Sequence, residues 1–219
     1  MPIQAVIFDM DGVLIDSYRA HWQSWLDTAK SEGVHCDPAE FSKVFGRTSR
    51  EIIAHFWGEG RCSAAEIAAI DARKEAAFRR LINVDFPAMP GAIDLLRTLH
   101  QSGFRLAVGS SGPPENVDFV VDRLGARPLF DALVTGFDVV RGKPDPQVFL
   151  LAAERLNLSP TCCAVVEDAP AGVAAANTAG MFSIGLLSTG RTPSDLRAAR
   201  AVIRSLSEIT PKMLQNASW

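Results

Sequence analysis

Five short, almost unbroken apolar runs constrain this chain more than any other feature. They are Ala5-Val6-Ile7-Phe8, Leu106-Ala107-Val108, Ala132-Leu133-Val134, Ala164-Val165-Val166 and Phe182-Ser183-Ile184-Gly185-Leu186. A strand with one wet face alternates apolar and polar residues. A strand apolar along its whole length is buried on both faces, as in a parallel sheet covered by helices. Helical patterns fall between these runs, over Ala92 to His100, Glu115 to Leu124, Pro146 to Leu156, Ala171 to Thr178 and Ser194 to Ala199. Gly103 and Gly125 stand just past two of them, and Pro113-Pro114 opens another, which is the usual punctuation of helices. The alternation predicts an α/β fold with a doubly wound, mostly parallel sheet.

One stretch breaks the pattern. From Ser17 to Asp85 no run reads as a good strand. Helix starts recur instead: Asp37-Pro38-Ala39-Glu40 and Ser63-Ala64-Ala65-Glu66 each place a carboxylate three residues after a capping residue. Trp22, Trp25, Leu26 and Ala29 form one apolar helical face, and Ile52, Ile53, Phe56 and Trp57 form another. We therefore expect a helical subdomain over 16–86, inserted into a core made of 1–15 and 87–219. The chain returns to that core near Pro87-Ala88-Met89-Pro90-Gly91.

Composition narrows the function classes. The net charge of -3 implies no broad basic surface, so neither nucleic acid nor an anionic membrane is an expected partner. No apolar run is long enough to span a bilayer. The opening MPIQAVIFDMDG lacks the basic start and long apolar stretch of a signal peptide, so a cytoplasmic location is expected. Cys36, Cys62, Cys162 and Cys163 show neither a C-x-x-C spacing nor a zinc pattern and are read as reduced thiols. Nothing in the sequence demands more than a monomer.

The chemistry begins at Asp9-Met10-Asp11-Gly12, where the first strand ends. Side chains two apart on a strand share a face, so both carboxylates project together. Ligands of open α/β sheets bind at the carboxyl ends of the strands. Read alone, the motif could equally be a solvated turn. Three further polar groups accompany it: Ser110-Ser111-Gly112 after the second run, Glu167-Asp168 after the fourth, and Lys143 in Gly142-Lys143-Pro144-Asp145-Pro146. Together they suit phosphoryl transfer. Mg²⁺ takes oxygen ligands, often one or two carboxylates with substrate phosphate, and Asp9 and Asp168 can supply these with Glu167 helping through water. A carboxylate such as Asp9 can attack phosphorus to form an acyl phosphate. Lys143, Ser110 and backbone N–H groups can neutralise the phosphoryl oxygens. Asp11 is then available as acid and base, a double duty favoured where crowding raises one carboxylate pKa.

These motifs resemble the haloacid dehalogenase superfamily in its phosphatase and phosphomutase branch. FDMDG is similar to the first motif of that family, VGSS to the second, GKPDP to the third and VVEDAPAG to the fourth, and the likeness runs over essentially the whole chain. The resemblance implies Asp9 as nucleophile, Asp11 as acid/base, Ser110 and Lys143 as phosphate binders, and a Mg²⁺ site at Asp9, the Asp11 carbonyl, Glu167 and Asp168. It implies a phosphorylated small molecule as substrate, with Ser111 beside Ser110. The helical insertion resembles the cap of β-phosphoglucomutase and neighbouring sugar-phosphate phosphatases, in which positions matching Ser17, His21, Arg50 and Lys74 face the active site. His21 can also be read as stacking with Trp25, four residues on, along the cap helix, and Arg50 and Lys74 as solvated helix charges. One departure matters: Gly112-Pro113-Pro114 stands where the mutase has a Ser-Lys-Asn group for its second phosphate. The expectation is therefore a sugar or polyol phosphatase, with a phosphomutase as the alternative. Receiver domains also combine an aspartate, Mg²⁺, a hydroxyl and a lysine, but they are shorter and lack a large helical insertion.

Overall fold

The computed structural model describes residues 2–45 and 47–217. Met1, Gly46, Ser218 and Trp219, which belong to the segments expected above, lie outside the described residues. In chain order, β1 (Ala5–Phe8) is followed by four helices: α1 (Tyr18–Ser31), α2 (Pro38–Val44), α3 (Ser49–Trp57) and α4 (Ala64–Val84). Then come α5 (Ala92–Gln101), β2 (Arg105–Gly109), α6 (Pro114–Arg123), β3 (Ala132–Val134), α7 (Gln147–Arg155) and β4 (Cys163–Glu167). The chain ends with α8 (Pro170–Thr178), β5 (Phe182–Leu186), β6 (Ala201–Ile203) and the short α9 (Pro211–Gln215).

The strands form one parallel sheet in the order β3-β2-β1-β4-β5-β6. Every residue of β1, β4 and β5 is buried, Glu167 and Ser183 included, as their almost wholly apolar sequences lead one to expect. On one face Ala5, Ile7, Ala107 and Val165 pack with Phe149 and Ala152 of α7 and with Ala175 and Ala176 of α8. The alternate residues Val6, Phe8, Leu106 and Val108 point to the opposite face and are as completely buried. From β1 the order runs to β2 and β3 on one side and to β4, β5 and β6 on the other. The carboxyl ends of β1 and β4 thus flank a topological switch point, where sheets of this kind open a ligand crevice.

Two expectations about the C-terminal part need correction. Ser194 to Ala199 forms successive turns, not a helix. The Asp195 carboxylate accepts from the backbone N–H and hydroxyl of Thr192, and the backbone closes only i to i−3 bonds, from Asp195 to Thr192 and from Ala199 to Leu196. The Arg200 N–H then turns to the Ser183 carbonyl, leading the chain into β6. That sixth strand was not expected; it has three residues and an exposed Val202, too little apolar pattern to read beforehand.

The chain divides into two compact units, one up to Asp16 and from Ala88 onward, the other Ser17–Pro87. In the helical unit α4 packs along α1 and against α3. Its core contains Trp25, Phe41, Val44, Ile52, Ile53 and Ile70. Ser63 and Glu66 form a reciprocal capping box at α4. Asp37 caps α2 through Ala39 and Glu40, but the Glu40 side chain pairs with Lys43, so the box there is one-sided. Thr48 and Glu51 form a box at α3 that the sequence reading passed over. No helix among the described residues is long and apolar enough to cross a membrane.

Candidate active site

Parallel register sets the site. Phe8 pairs with Val108 of β2 and Val166 of β4, so Asp9 leaves β1 level with Glu167 at the end of β4. The Asp9 N–H is held by the Val166 carbonyl at 2.9 Å. Lys143, from the loop between β3 and α7, closes the group. Its Nζ donates to Asp9 Oδ1 at 2.6 Å and to Glu167 Oε1 at 2.7 Å, and it lies 4.8 Å from the centre of the Phe149 ring. The other Glu167 oxygen accepts the Ala169 N–H at 2.7 Å, just before α8.

Two glycines let these carboxylates approach the backbone. After Asp11 the chain turns back on itself: Val13 and Leu14 N–H reach the Met10 carbonyl, and Gly12 N–H reaches Ile15. Gly12 has φ +79°, and a Cβ there would stand 2.1 Å from Asp168 Oδ2. A Cβ on Gly172 of α8 would stand 1.7 Å from Glu167 Oε1. Any larger residue at either position would push a carboxylate out of the cluster.

The electrostatics are those of a site with too little positive charge. Asp9, Glu167 and Asp168 bring one oxygen each within 4.8 Å of one another, all buried. Burial holds the Asp9 carboxyl well above the usual carboxylate range; Lys143 opposes this, while Glu167, Asp11 and Asp168 add to it. Asp168 is pushed up to about 7 by burial and by Glu167, against Arg191, Ser188 and Lys143. Burial would lower the Lys143 pKa, but Asp9 and Glu167 raise it above the ordinary lysine value. Converging hard oxygens that Lys143 only partly neutralises fit a divalent cation such as Mg²⁺.

Ser110, one residue beyond β2, is buried and accepts the Gly112 N–H on its hydroxyl oxygen at 3.0 Å. Ser111 is exposed. Pro113 caps α6 and Pro114 follows inside it, so neither residue offers a backbone N–H.

In the helical unit the buried Lys74 donates to Glu75 Oε1 at 2.7 Å and lies 2.8 Å from His21 Nδ1. Its Nζ stands 5.3 Å from the Trp25 ring and 5.4 Å from the Phe78 ring, and His21 stacks on Phe78 at 4.0 Å. Ser17 precedes α1 and is buried, with no hydrogen bond to its hydroxyl among the described residues. Arg50 is exposed in the first turn of α3.

Residues 3–180 match the haloacid dehalogenase-like hydrolases. The chain belongs to that family. It is 35% identical to validoxylamine A 7'-phosphate phosphatase of Streptomyces hygroscopicus subsp. limoneus, over 94% of this chain and 95% of that one. It is 34% identical to hexitol phosphatase A of Escherichia coli strain K12, over 96% and 94%. The crystal structure of a β-phosphoglucomutase from Clostridium difficile superposes with a TM-score of 0.86 at 27% identity, covering 97% of this chain and 96% of that one.

Of the residues singled out from the sequence of this haloacid dehalogenase-like chain, the structure joins Asp9, Lys143 and Glu167 by hydrogen bonds and sets Asp168 beside them. Asp11 is half-buried in the turn that follows β1. His21 and Lys74 meet, while Arg50 belongs to a different helix start. Three residues were overlooked. Ser188 donates to Asp168 Oδ2 at 2.7 Å, and Arg191 Nε lies 3.6 Å from the same oxygen. Both follow the carboxyl end of β5, the strand next to β4, so the rule that drew attention to Ser110 and Glu167 applies to them too. The third is Glu75, adjacent in sequence to Lys74.

Proposed function

We propose that this protein is a Mg²⁺-dependent phosphatase of a small sugar or polyol phosphate that acts through a phospho-aspartate on Asp9. The observation that carries the reading is Lys143 bridging Asp9 and Glu167 at a strand-end switch point, with Asp168 alongside. The phosphatase relatives support the reaction class. We read the strand-bearing unit as the catalytic core and the helical unit as a cap whose Ser17, His21, Arg50 and Lys74 select substrate.

Asp9, Asp168, the Asp11 carbonyl and, through water, Glu167 would hold the cation. When bound, Mg²⁺ supplies positive charge against the oxygens of the phosphoryl group. Asp9 attacks phosphorus with a carboxylate oxygen, and the bond to the leaving alcohol breaks as the Asp9 acyl phosphate forms. Asp11, as the carboxylic acid, gives its proton to that alcohol. Lys143 and the Ser110 hydroxyl donate to the phosphoryl oxygens, with Ser111 beside them. Asp11, now a carboxylate, takes a proton from the water that attacks phosphorus, and phosphate leaves with Asp9 restored.

A phosphomutase would share the first half of this sequence. It must also hold a second phosphate while the intermediate turns round. The Gly112-Pro113-Pro114 segment favours hydrolysis: the Gly112 N–H is committed to Ser110, and the prolines have none to give. The deciding assay supplies β-glucose 1-phosphate with trace bisphosphate and follows both glucose 6-phosphate and free phosphate. Alongside it, a panel of sugar and polyol monophosphates is assayed with and without Mg²⁺. We expect Mg²⁺-dependent phosphate release that needs no bisphosphate. Isomerisation outrunning hydrolysis would make the protein a mutase, and release that survives complete chelation would remove the metal from the mechanism.

A further inference from the structure

The loop that follows β5 holds one carboxylate of the cluster from behind. Ser188 Oγ donates to Asp168 Oδ2 at 2.7 Å, and the largely buried Arg191 brings Nε to 3.6 Å from that same oxygen. Asp168 Oδ2 is also the atom that approaches Gly12 so closely. Both of these side chains meet Asp168 at Oδ2, and Oδ1 carries neither the serine nor the arginine. The two side chains differ in what they bring. A hydroxyl supplies direction with no net charge, whereas a guanidinium is a permanent cation beside a cluster that already contains Lys143.

We propose that Ser188 and Arg191 are positioning residues for the cation site and act on Asp168 with opposite sign. Ser188 fixes the carboxylate with Oδ2 turned into the protein and Oδ1 turned to the ion. Arg191 is an internal competitor that neutralises Asp168 when the ion is absent and weakens the ion's hold when it is present. The inference rests on the reading of Asp168 as a metal ligand. Residues that orient a metal ligand commonly change affinity by about 10- to 100-fold when removed. A nearby like charge acts the other way, through Coulomb repulsion between guanidinium and ion.

The test needs no substrate. Mg²⁺ alone is titrated into the full-length, metal-free protein, with Kd read by calorimetry and the ion-induced rise in Tm read in parallel. We expect Ser188→Ala to raise Kd about tenfold, at the lower end of that range. We expect Arg191→Gln to lower Kd about threefold to tenfold, to lower the metal-free Tm and to enlarge the Tm rise on adding Mg²⁺. Thr189→Ala is the control: it removes a hydrogen bond from the same loop to Asp16 but touches none of the clustered carboxylates. Its Kd should match that of the parent protein. If Thr189→Ala weakens binding as much as Ser188→Ala, the loop acts by general order and the proposal is wrong. A Kd for Arg191→Gln that is unchanged or weaker overturns the competitor role, whatever Ser188→Ala does. Asp168→Ala separates the two levels. Loss of binding in that variant with no effect at Ser188 and Arg191 overturns this inference alone. Full binding in Asp168→Ala removes the metal-site reading itself.

Discussion

Each unit of this molecule buries a lysine, and the two lysines are held in different ways. Lys143 joins carboxylates 134 and 24 residues away, carried to it by the ends of two adjacent parallel strands. Lys74 pairs with Glu75, its immediate neighbour, and with His21 on the helix that packs along its own. In the first case the backbone brings like charges together and a lysine partly relieves them. In the second, one acid and one base neutralise each other in an aromatic wall of Trp25 and Phe78. The first arrangement is poised to accept more positive charge; the second balances one acid against one base. Excess negative charge marks a site that can take up a cation, whereas a balanced buried pair holds a side chain in one place, as the substrate-selecting role proposed for Lys74 requires.

Removing the proposed nucleophile should break the comparison most completely. Asp9→Asn is expected to reduce phosphate release by a factor on the order of 10⁴ or more, while circular dichroism and Tm report a folded protein. Substantial turnover from a clean preparation would end the covalent mechanism.

Next come the two lysines themselves. Lys143→Met should cost activity on the order of 10²- to 10³-fold, because it deletes the charge that bridges Asp9 and Glu167 and is proposed to meet the phosphoryl oxygens. Lys74→Met should act on stability and, through its proposed part in selecting substrate, on KM more than on kcat. It breaks the buried ion pair with Glu75, a loss of about 3–5 kcal/mol, and Lys74→Met with Glu75→Gln should recover part of that. Melting curves and kcat/KM measured on all three variants check the contrast. If Lys74→Met loses activity as steeply as Lys143→Met while keeping its Tm, the two sites do not differ as described.

The pH dependence of the metal-free protein sharpens the point. Asp168 is held at about 7 in the fold against a reference value of 3.8. Between those values the folded state binds the extra proton, so stability falls as pH rises through that window. Asp168→Asn removes the effect. Its Tm should gain on that of the parent protein by several degrees between about pH 4 and pH 8. Parallel Tm profiles for the two proteins would show that Asp168 is not strained by its neighbours.

The smallest expected effect belongs to the helical unit alone. Ser63→Ala removes a capping box, which costs about 1 kcal/mol and lowers Tm by about 2–4 °C for a chain of this size. Phosphate release below the melting range should be unchanged. A loss of activity would show that order at the α4 N-terminus reaches the chemistry.

The sequence by itself determined the α/β class, five of the six strands and the helical insertion, because burial on both faces of a strand and periodicity along a helix are written in local patterns. It also determined which residue types stand at strand ends, and so singled out Asp9, Ser110, Glu167 and Asp168. It was silent where patterns are short or where side chains compete with the backbone. Three residues were too few to announce β6, and the Asp195 carboxylate bonding back to Thr192 turned an expected helix into a series of turns. Only the tertiary structure decided that Lys143 bridges Asp9 and Glu167, that Gly12 and Gly172 leave room for carboxylates, and that Ser188 and Arg191 attend Asp168. These are contacts between segments far apart in the chain. Their geometry depends on strand order and register, and neither is encoded in the spacing of any single motif.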